Sequence, residues 1–444
     1  MRILIIGSLL LTLAAPAGAG EITLPDALRA AITGRPAVQA ARARAESAAA
    51  AVDESRSGWL PHITLHERYT RTDEPAGSLF LALNQERNVM ADPGYDLVDP
   101  DIQDDFETRL ELTQTLYDPN VDYGLRRALT LQHAAAASAG WSAEVAAFEA
   151  FRAYLDVQHA QAAQAWVGSS LREAGEIARL AGERRQAGIG LKADELRAGV
   201  YLAEARRREL TAGNDLVLAR RRLALAIGDP DGERQIAAAL DETSFPPARL
   251  PASTAERADL AALALEVEAS GLAVAQSRAV WLPSLDLTTH YAWHDEHTPF
   301  GGDSESWAIG AGLRWELFDG LRRSATTART TAMQKSEEAR LEETRREQNL
   351  LLVEAGLRAE EARMHRDSAR QAVAEAAEGQ RLFLQRYEAG LAELADLLAA
   401  QSALDRARYD AAGAETRHLL ALGTVQFQAG RFLATFLPDK ETQP

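Results

Sequence analysis

Ser55-Arg56-Ser57-Gly58-Trp59-Leu60-Pro61 returns 222 residues later as Ser277-Arg278-Ala279-Val280-Trp281-Leu282-Pro283. Proline cannot continue a helix and biases its predecessor toward extended backbone, so each stretch reads as the end of a helix and the start of something else. Two further marks keep the same order. Leu116-Tyr117-Asp118 returns as Leu317-Phe318-Asp319, shifted by 201, and Arg184-Arg185-Gln186-Ala187-Gly188 returns as Arg386-Tyr387-Glu388-Ala389-Gly390, shifted by 202. The layout occurs twice, with an insertion of 21 residues in the first copy. A repeat of this length is no solenoid unit. The reading divides the mature chain into a first repeat at 20–230, a connector at 231–252, a second repeat at 253–436 and a polar tail at 437–444.

Outward from Trp-Leu-Pro the periodicity changes. Upstream lie alanine-rich amphipathic helices, one starting near Thr23-Leu24-Pro25-Asp26 with a break at Gly34-Arg35-Pro36, the other over 253–280. Downstream the period is two. Leu285, Leu287, Thr289, Tyr291 and Trp293 alternate with Asp286, Thr288, His290, Ala292 and His294. The spacing predicts four strands, at about 62–71, 104–116, 284–294 and 306–317. The first is the weakest, because Glu67 falls among Ile63, Leu65 and Tyr69. Such alternation over about ten residues with aromatics near the ends marks a transmembrane β-strand; a half-exposed strand of a soluble sheet gives the same pattern. A long polar loop, Asp73 to Asp104, separates the first pair and holds the insertion.

Beyond each second strand the chain reads as helix without proline, over 121–186 and 321–388. At about 1.5 Å per residue the latter is on the order of 100 Å long. Each helix reverses at a glycine, near 188 and near 390, and returns over 193–227 and 392–428. Helices this long must pair as coiled-coil hairpins, with alanine at the seams.

Met1-Arg2, an apolar run from Ile3 to Leu13 and Ala17-Gly18-Ala19 form a secretory signal peptide over 1–19. The chain has no cysteine. That excludes disulfides, thiolate metal sites and a lipoprotein anchor. No later segment reaches the roughly 18 apolar residues of a membrane helix, so any crossing of a membrane must use strands. The net charge of −17 argues against a nucleic-acid partner. It suits a solvated surface or an acidic passage.

Strands cross lipid only in a closed barrel. Four are too few, since small barrels use about eight. A homotrimer supplies twelve, and its helical segments can close into a tube below. The expected architecture is mainly α with a transmembrane β-barrel part: a long coiled-coil helical barrel plus four strands per chain, closing as a 12-stranded barrel.

The doubled series of helix, Trp-Leu-Pro, strand pair, long helix, Arg-x-x-x-Gly tip and returning helix resembles the TolC-type outer-membrane factor family. Ile22-Thr23-Leu24-Pro25-Asp26-Ala27-Leu28 followed by Arg35-Pro36 resembles that family's usual mature start. The resemblance covers nearly all of the mature chain. It implies a trimeric exit duct in the outer membrane of a Gram-negative bacterium with a large periplasmic extension. It further implies outer-membrane lipid around the barrel, and as partners a periplasmic adaptor and an inner-membrane pump, proton-driven or ABC. The cargo expected is small toxic solutes or drugs. Polypeptide export of the type I class is the alternative within transport, and a non-pore periplasmic coiled-coil scaffold is the alternative outside it. The resemblance implies no enzyme, no cofactor and no resident metal.

The resemblance also places residues. Gly188-Ile189 and Gly390-Leu391 match the family's adaptor-contacting tips. Asp194, Tyr387 and Asp396 match its periplasmic gate. Asp396 matches an aspartate projecting into the tunnel mouth, and Asp194 matches one in the bonds that hold neighbouring hairpins shut. Tyr387 matches a tyrosine bonded to it. Both aspartates equally suit the first turn of a returning helix through its dipole. Where the family's best-described latch has an arginine and a second aspartate, this chain has Ala392 and Ala399. Lys192 and Arg185 are the cations at hand to replace that arginine. His290, His294 and His297 form the one histidine cluster, and the sequence carries no phosphate loop, nucleophile elbow or zinc signature.

Overall fold

Thr23 starts the first helix by accepting the Asp26 backbone N–H on its hydroxyl and donating that hydroxyl to the Asp26 carboxylate at 2.7 Å. The computed structural model of the 444-residue chain describes residues 21–91, 94–229, 232–245 and 253–437. The signal peptide, residues 246–252 of the connector and the tail beyond 437 lie outside the described residues.

In order, the elements are β1 (Glu21–Ile22), α1 (Leu24–Gly34), α2 (Pro36–Ser57), β2 (His62–Thr72), α3 (Pro75–Asn84) and β3 (Gln103–Tyr117). Then come α4 (Pro119–Gln186), α5 (Lys192–Ala226), β4 (Gln235–Ile236) and α6 (Ala258–Ala279). The chain closes with β5 (Ser284–Asp295), β6 (Ser304–Arg314), α7 (Arg322–Glu388), α8 (Leu394–Gln428) and α9 (Phe432–Phe436). The four strands, two long helices and two returning helices all appear. The Trp-Leu-Pro marks close their helices identically: Trp59 and Leu60 donate back to Arg56 and Ser57, and Trp281 and Leu282 to Arg278 and Ala279.

The chain divides into two compact units, one of Met1–Ala43, Ala137–Leu260 and Thr344–Pro444, the other of Arg44–Ala136 and Ala261–Glu343. Each sequence repeat contributes to both. The first unit holds the main core, where Leu28, Phe151, Tyr154, Leu155, Leu223, Leu419 and Phe432 are fully or almost fully buried. Alanines line its helix contacts, among them Ala147, Ala150 and Ala219. They cost little side-chain entropy and let helices approach closely. Gly423 of α8 shows how closely: a Cβ there would meet Phe151 Cε1 at 2.3 Å. The connector is tied down by Tyr154, whose hydroxyl donates to the Ala238 carbonyl at 2.6 Å, and by Gln158, which bonds Leu240 at both its backbone groups.

The second unit holds an antiparallel sheet in the order β2-β3-β5-β6. The register places Leu65 opposite Leu110, Leu110 opposite Tyr291 and Tyr291 opposite Trp307, so one face is apolar across all four strands. The other face carries Arg68, Glu107, Arg109, Glu111, His290 and His294. Glu67 intrudes on the apolar face because it accepts the Thr108 hydroxyl at 2.6 Å and the Phe300 N–H at 3.2 Å. β6 stops at Arg314, short of the expected 317, where the Trp315 indole N–H turns to the Trp281 carbonyl at 3.1 Å. The long loop after β2 is partly ordered into α3. No described helix is long and apolar enough to cross a membrane.

Candidate functional site

The hairpin tips are built alike. Gly188 and Gly390 both sit at φ +76°, the left-handed region open to glycine. In each, the glycine N–H returns to the carbonyl three residues back, and the next N–H to the carbonyl five back: Gly188 to Arg185 and Ile189 to Arg184, Gly390 to Tyr387 and Leu391 to Arg386. This pair of bonds is the Schellman closure, which satisfies the last carbonyls of a helix. The apolar residue after the glycine usually packs back onto its own helix. Here Ile189 and Leu391 are 68% and 70% exposed. The tips thus present two bare aliphatic side chains on backbone loops of one shape.

The acids nearby differ in setting. Asp194 and Glu195 lie in the first turn of α5, and Asp396 in the first turn of α8, positions a helix dipole favours. Asp194 is half-buried and Asp396 exposed. Tyr387 is 4% exposed, within a cluster that includes Ile177, Tyr201, Leu394 and Leu397. Among the described residues no hydrogen bond joins Tyr387 to Asp194. Burial pushes the Tyr387 phenol above its ordinary value; Arg184 works against the rise and the Asp194 carboxylate adds to it. Lys192 and Arg185 do not reach Asp194 or Asp396. Both are spent on Glu195, at 2.6 and 2.5 Å, and that carboxyl is held below its usual range by Lys192 first and Arg185 next.

Sequence reasoning passed over the groups that join the two hairpins. Arg184, at the end of α4, donates from Nη1 to the Tyr387 carbonyl at 2.9 Å and stacks on its ring. Farther along the same helices Asp405 of α8 is buried and accepts from four donors. They are Ser170 of α4 at 3.0 Å, Tyr201 and Arg208 of α5 at 2.7 and 3.3 Å, and Gln401 at 3.3 Å. Gln401 also donates to Glu173 of α4 at 2.5 Å, and Glu173 takes Arg408 at 3.2 Å. Buried polar groups persist when they are hydrogen-bonded, and stripping a buried carboxylate of its donors would be expensive. The signal available was the stripe Leu394, Leu397, Gln401, Leu404, Asp405, where polar residues interrupt an apolar helix face.

The histidines do not converge. His294 is buried with Nδ1 3.0 Å from Asp105, and among the described residues no group of three acids or histidines could hold a metal.

The described chain thus combines paired long helices, glycine-closed tips and a four-stranded sheet with a bare apolar face. The chain belongs to the outer membrane efflux protein family, whose model matches residues 27–229 and 250–431. Members of that family are non-enzymatic ducts of the outer membrane. Among solved structures, the outer membrane protein VceC of Vibrio cholerae shares 17% identity, with a TM-score of 0.77 over 92% of this chain and 96% of that one. MtrE of Neisseria gonorrhoeae shares 18% at a TM-score of 0.78, covering 92% and 89%. CmeC of Campylobacter jejuni shares 16% at 0.77, covering 92% and 86%. Comparison with curated proteins finds no relative by sequence.

Proposed function

We propose that three copies of this chain form one exit duct through the outer membrane of a Gram-negative bacterium. The duct takes small toxic solutes or drugs from an inner-membrane pump through a periplasmic adaptor. The observation that carries this reading is the sheet. β2 and β6 are its outer strands, each paired on one side only. Ile63, Leu65, Trp307, Ile309 and Leu313 on those strands are more than half exposed. An open edge and a bare apolar face are both costly in isolation. Pairing β6 of one copy with β2 of the next removes both edges, and lipid covers the apolar face. The structures similar to this chain include proteins described as outer membrane channels, which supports the same assembly.

Within that duct the two repeats, 20–230 and 253–436, serve as alternating staves. Gly188-Ile189 and Gly390-Leu391 are the contacts for the adaptor, since bare aliphatic tips need a partner. Asp396, three to an assembly, rings the periplasmic mouth with carboxylates that gather cations. Asp194 and Tyr387 stand beside the contact that holds the hairpins together. Protein purified in detergent should run as a trimer in light scattering and conduct ions in planar bilayers. A monomer that never conducts would favour a scaffold without a pore.

A further inference from the structure

α3 is built inside out. A surface helix normally buries its apolar stripe. In α3 the buried positions are Ser78 and Ala82, followed one turn on by Gln85, while Phe80 and Leu83 stand 64% and 43% exposed. The small and polar side is anchored. Gln85 Nε2 donates to the Asp104 carbonyl at 2.8 Å and to Asp105 Oδ1 at 2.9 Å. Ser78 donates to the Thr72 carbonyl, Ser304 donates to the Asn84 carbonyl, and Arg87 bonds Gln103 and Glu296. Asp105, 1% exposed, is shared with His294.

These anchors fix which side of the sheet α3 occupies. Asp105 alternates with Glu107 and Arg109, and His294 lies opposite Glu107. Both project from the charged face, away from Leu110 and Trp307. α3 therefore lies over the charged face near the β3, β5 and β6 ends remote from the long helices. Leu79 and Leu81 are half-buried, but Phe80 and Leu83 stand clear of the other described residues. Lipid is on the other side of the sheet in a closed barrel, so it is not their cover.

We propose that α3 is an interaction surface for its own copies: in the assembled duct three Phe80–Leu83 faces meet across the lumen and make an apolar constriction at the exit. This inference rests on the trimeric reading above. Barrel closure through β2 and β6 turns the charged face inward and brings each α3 opposite two others about a threefold axis. A helix with side chains is about 10 Å across, so three of them fill much of a mid-sized barrel. Removing a Phe and a Leu side chain from water is favourable, which gives the bare face a reason to associate. A ring of such side chains passes apolar solutes and resists water and ions by dewetting. The exit then favours the apolar members among the small toxic solutes or drugs proposed above.

Because the chain has no cysteine, the contact can be read directly. Phe80→Cys in the full-length trimer should form linked pairs under mild oxidation or with a short bis-maleimide. Ile63→Cys, on the opposite face of the sheet, should not. The double variant Phe80→Ser, Leu83→Ser should raise single-channel conductance by roughly twofold or more. A trimer that shows no Phe80→Cys links and unchanged conductance in the double variant overturns the constriction while leaving the duct intact. A preparation with no trimer at all defeats the duct reading first, and the constriction with it.

Discussion

The Arg184 guanidinium lies 5.0 Å from the ring centroid of Tyr387 while its Nη1 bonds that residue's carbonyl at 2.9 Å. One side chain thus grips both the face and the backbone of the opposite hairpin, one residue-turn from each tip glycine. Parting the tips requires breaking it. A cation–π contact contributes about 0.5–2 kcal/mol and a charged hydrogen bond about 1.5–3. Arg184→Ala should therefore move a closed–open equilibrium toward open by about tenfold or more, seen as higher mean conductance in bilayers. Arg184→Lys keeps the charge without the planar stack and should fall between. Parental conductance in both would remove this contact from the gate.

The Asp405 network stabilises more than it switches. Asp405→Ala leaves Arg208 and the Tyr201 hydroxyl facing a site with no acceptor, a loss on the order of 3–5 kcal/mol. Tyr201→Phe removes one hydrogen bond and should cost about 1 kcal/mol. Calorimetry on the purified protein orders the two, and an Asp405→Ala variant as stable as its parent contradicts the assignment. The phenol also sets a pH limit. Burial, then the Asp405 carboxylate, raises its folded pKa. The folded state keeps a proton that the unfolded state releases, so stability should decline above the ordinary tyrosine value of 10.0. Tyr201→Phe should lessen that decline.

Periodicity made the architecture legible. Trp59-Leu60-Pro61 and Trp281-Leu282-Pro283 mark a switch from helical to twofold spacing that local backbone chemistry imposes, so the strands and long helices followed from it. Gly188 and Gly390 were equally readable, because a left-handed reversal selects glycine. The polar couplings were not. Asp405 meets Ser170 and Tyr201 across more than 200 residues of sequence. Nothing in a single chain of letters says which of its many arginines finds an acid. Glu195 taking both Lys192 and Arg185, rather than leaving either for Asp194 or Asp396, is such a case. α3 was hidden for another reason: its apolar residues do not follow the core, so the stretch 73–104 read only as polar loop.

His418 gives an acid limit. It is buried in α8, among the described residues neither ring nitrogen has a hydrogen-bond partner, and Glu242 Oε1 stands 3.8 Å from Nε2. Burial and then Arg366 depress its pKa, with Glu242 and Glu415 opposing. The unfolded chain then binds a proton the folded one refuses. Stability should fall as pH drops below the ordinary value of 6.5. Thermal scans of His418→Leu should show less loss between neutral and mildly acidic pH than the parent. An identical acid slope would assign the effect to other groups.

The tips separate folding from docking. Among the described residues a Cβ at Gly188 would meet nothing within 4 Å, and one at Gly390 would meet Arg184 Nη2 at 3.7 Å. Gly188→Ala and Gly390→Ala should thus cost only the left-handed backbone strain, about 1–2 kcal/mol each. Ile189→Asp and Leu391→Asp change side chains that touch little, so stability measured in thermal melts should stay within about 0.5 kcal/mol of the parent's. The same two substitutions should abolish binding of the purified adaptor in surface-plasmon measurements. If adaptor affinity survives both, the contact lies elsewhere on the hairpins.

Asp396 tests the mouth itself. It is exposed, and among the described residues no cation pairs with it, so its charge is available to the solvent path. Coulomb repulsion among three such groups is weak in water, yet a ring of them in a narrow, low-dielectric mouth concentrates cations. Asp396→Asn preserves shape and the first-turn position on α8 while deleting the charge. Reversal potentials in a potassium chloride gradient should shift toward lower cation selectivity, and block by polyvalent cations should weaken. Asp194→Asn makes the comparison informative: its half-buried carboxylate acts on Tyr387, so it should change how readily the mouth opens more than which ions pass. Equal selectivity in both variants and the parent would assign Asp396 to the α8 dipole alone.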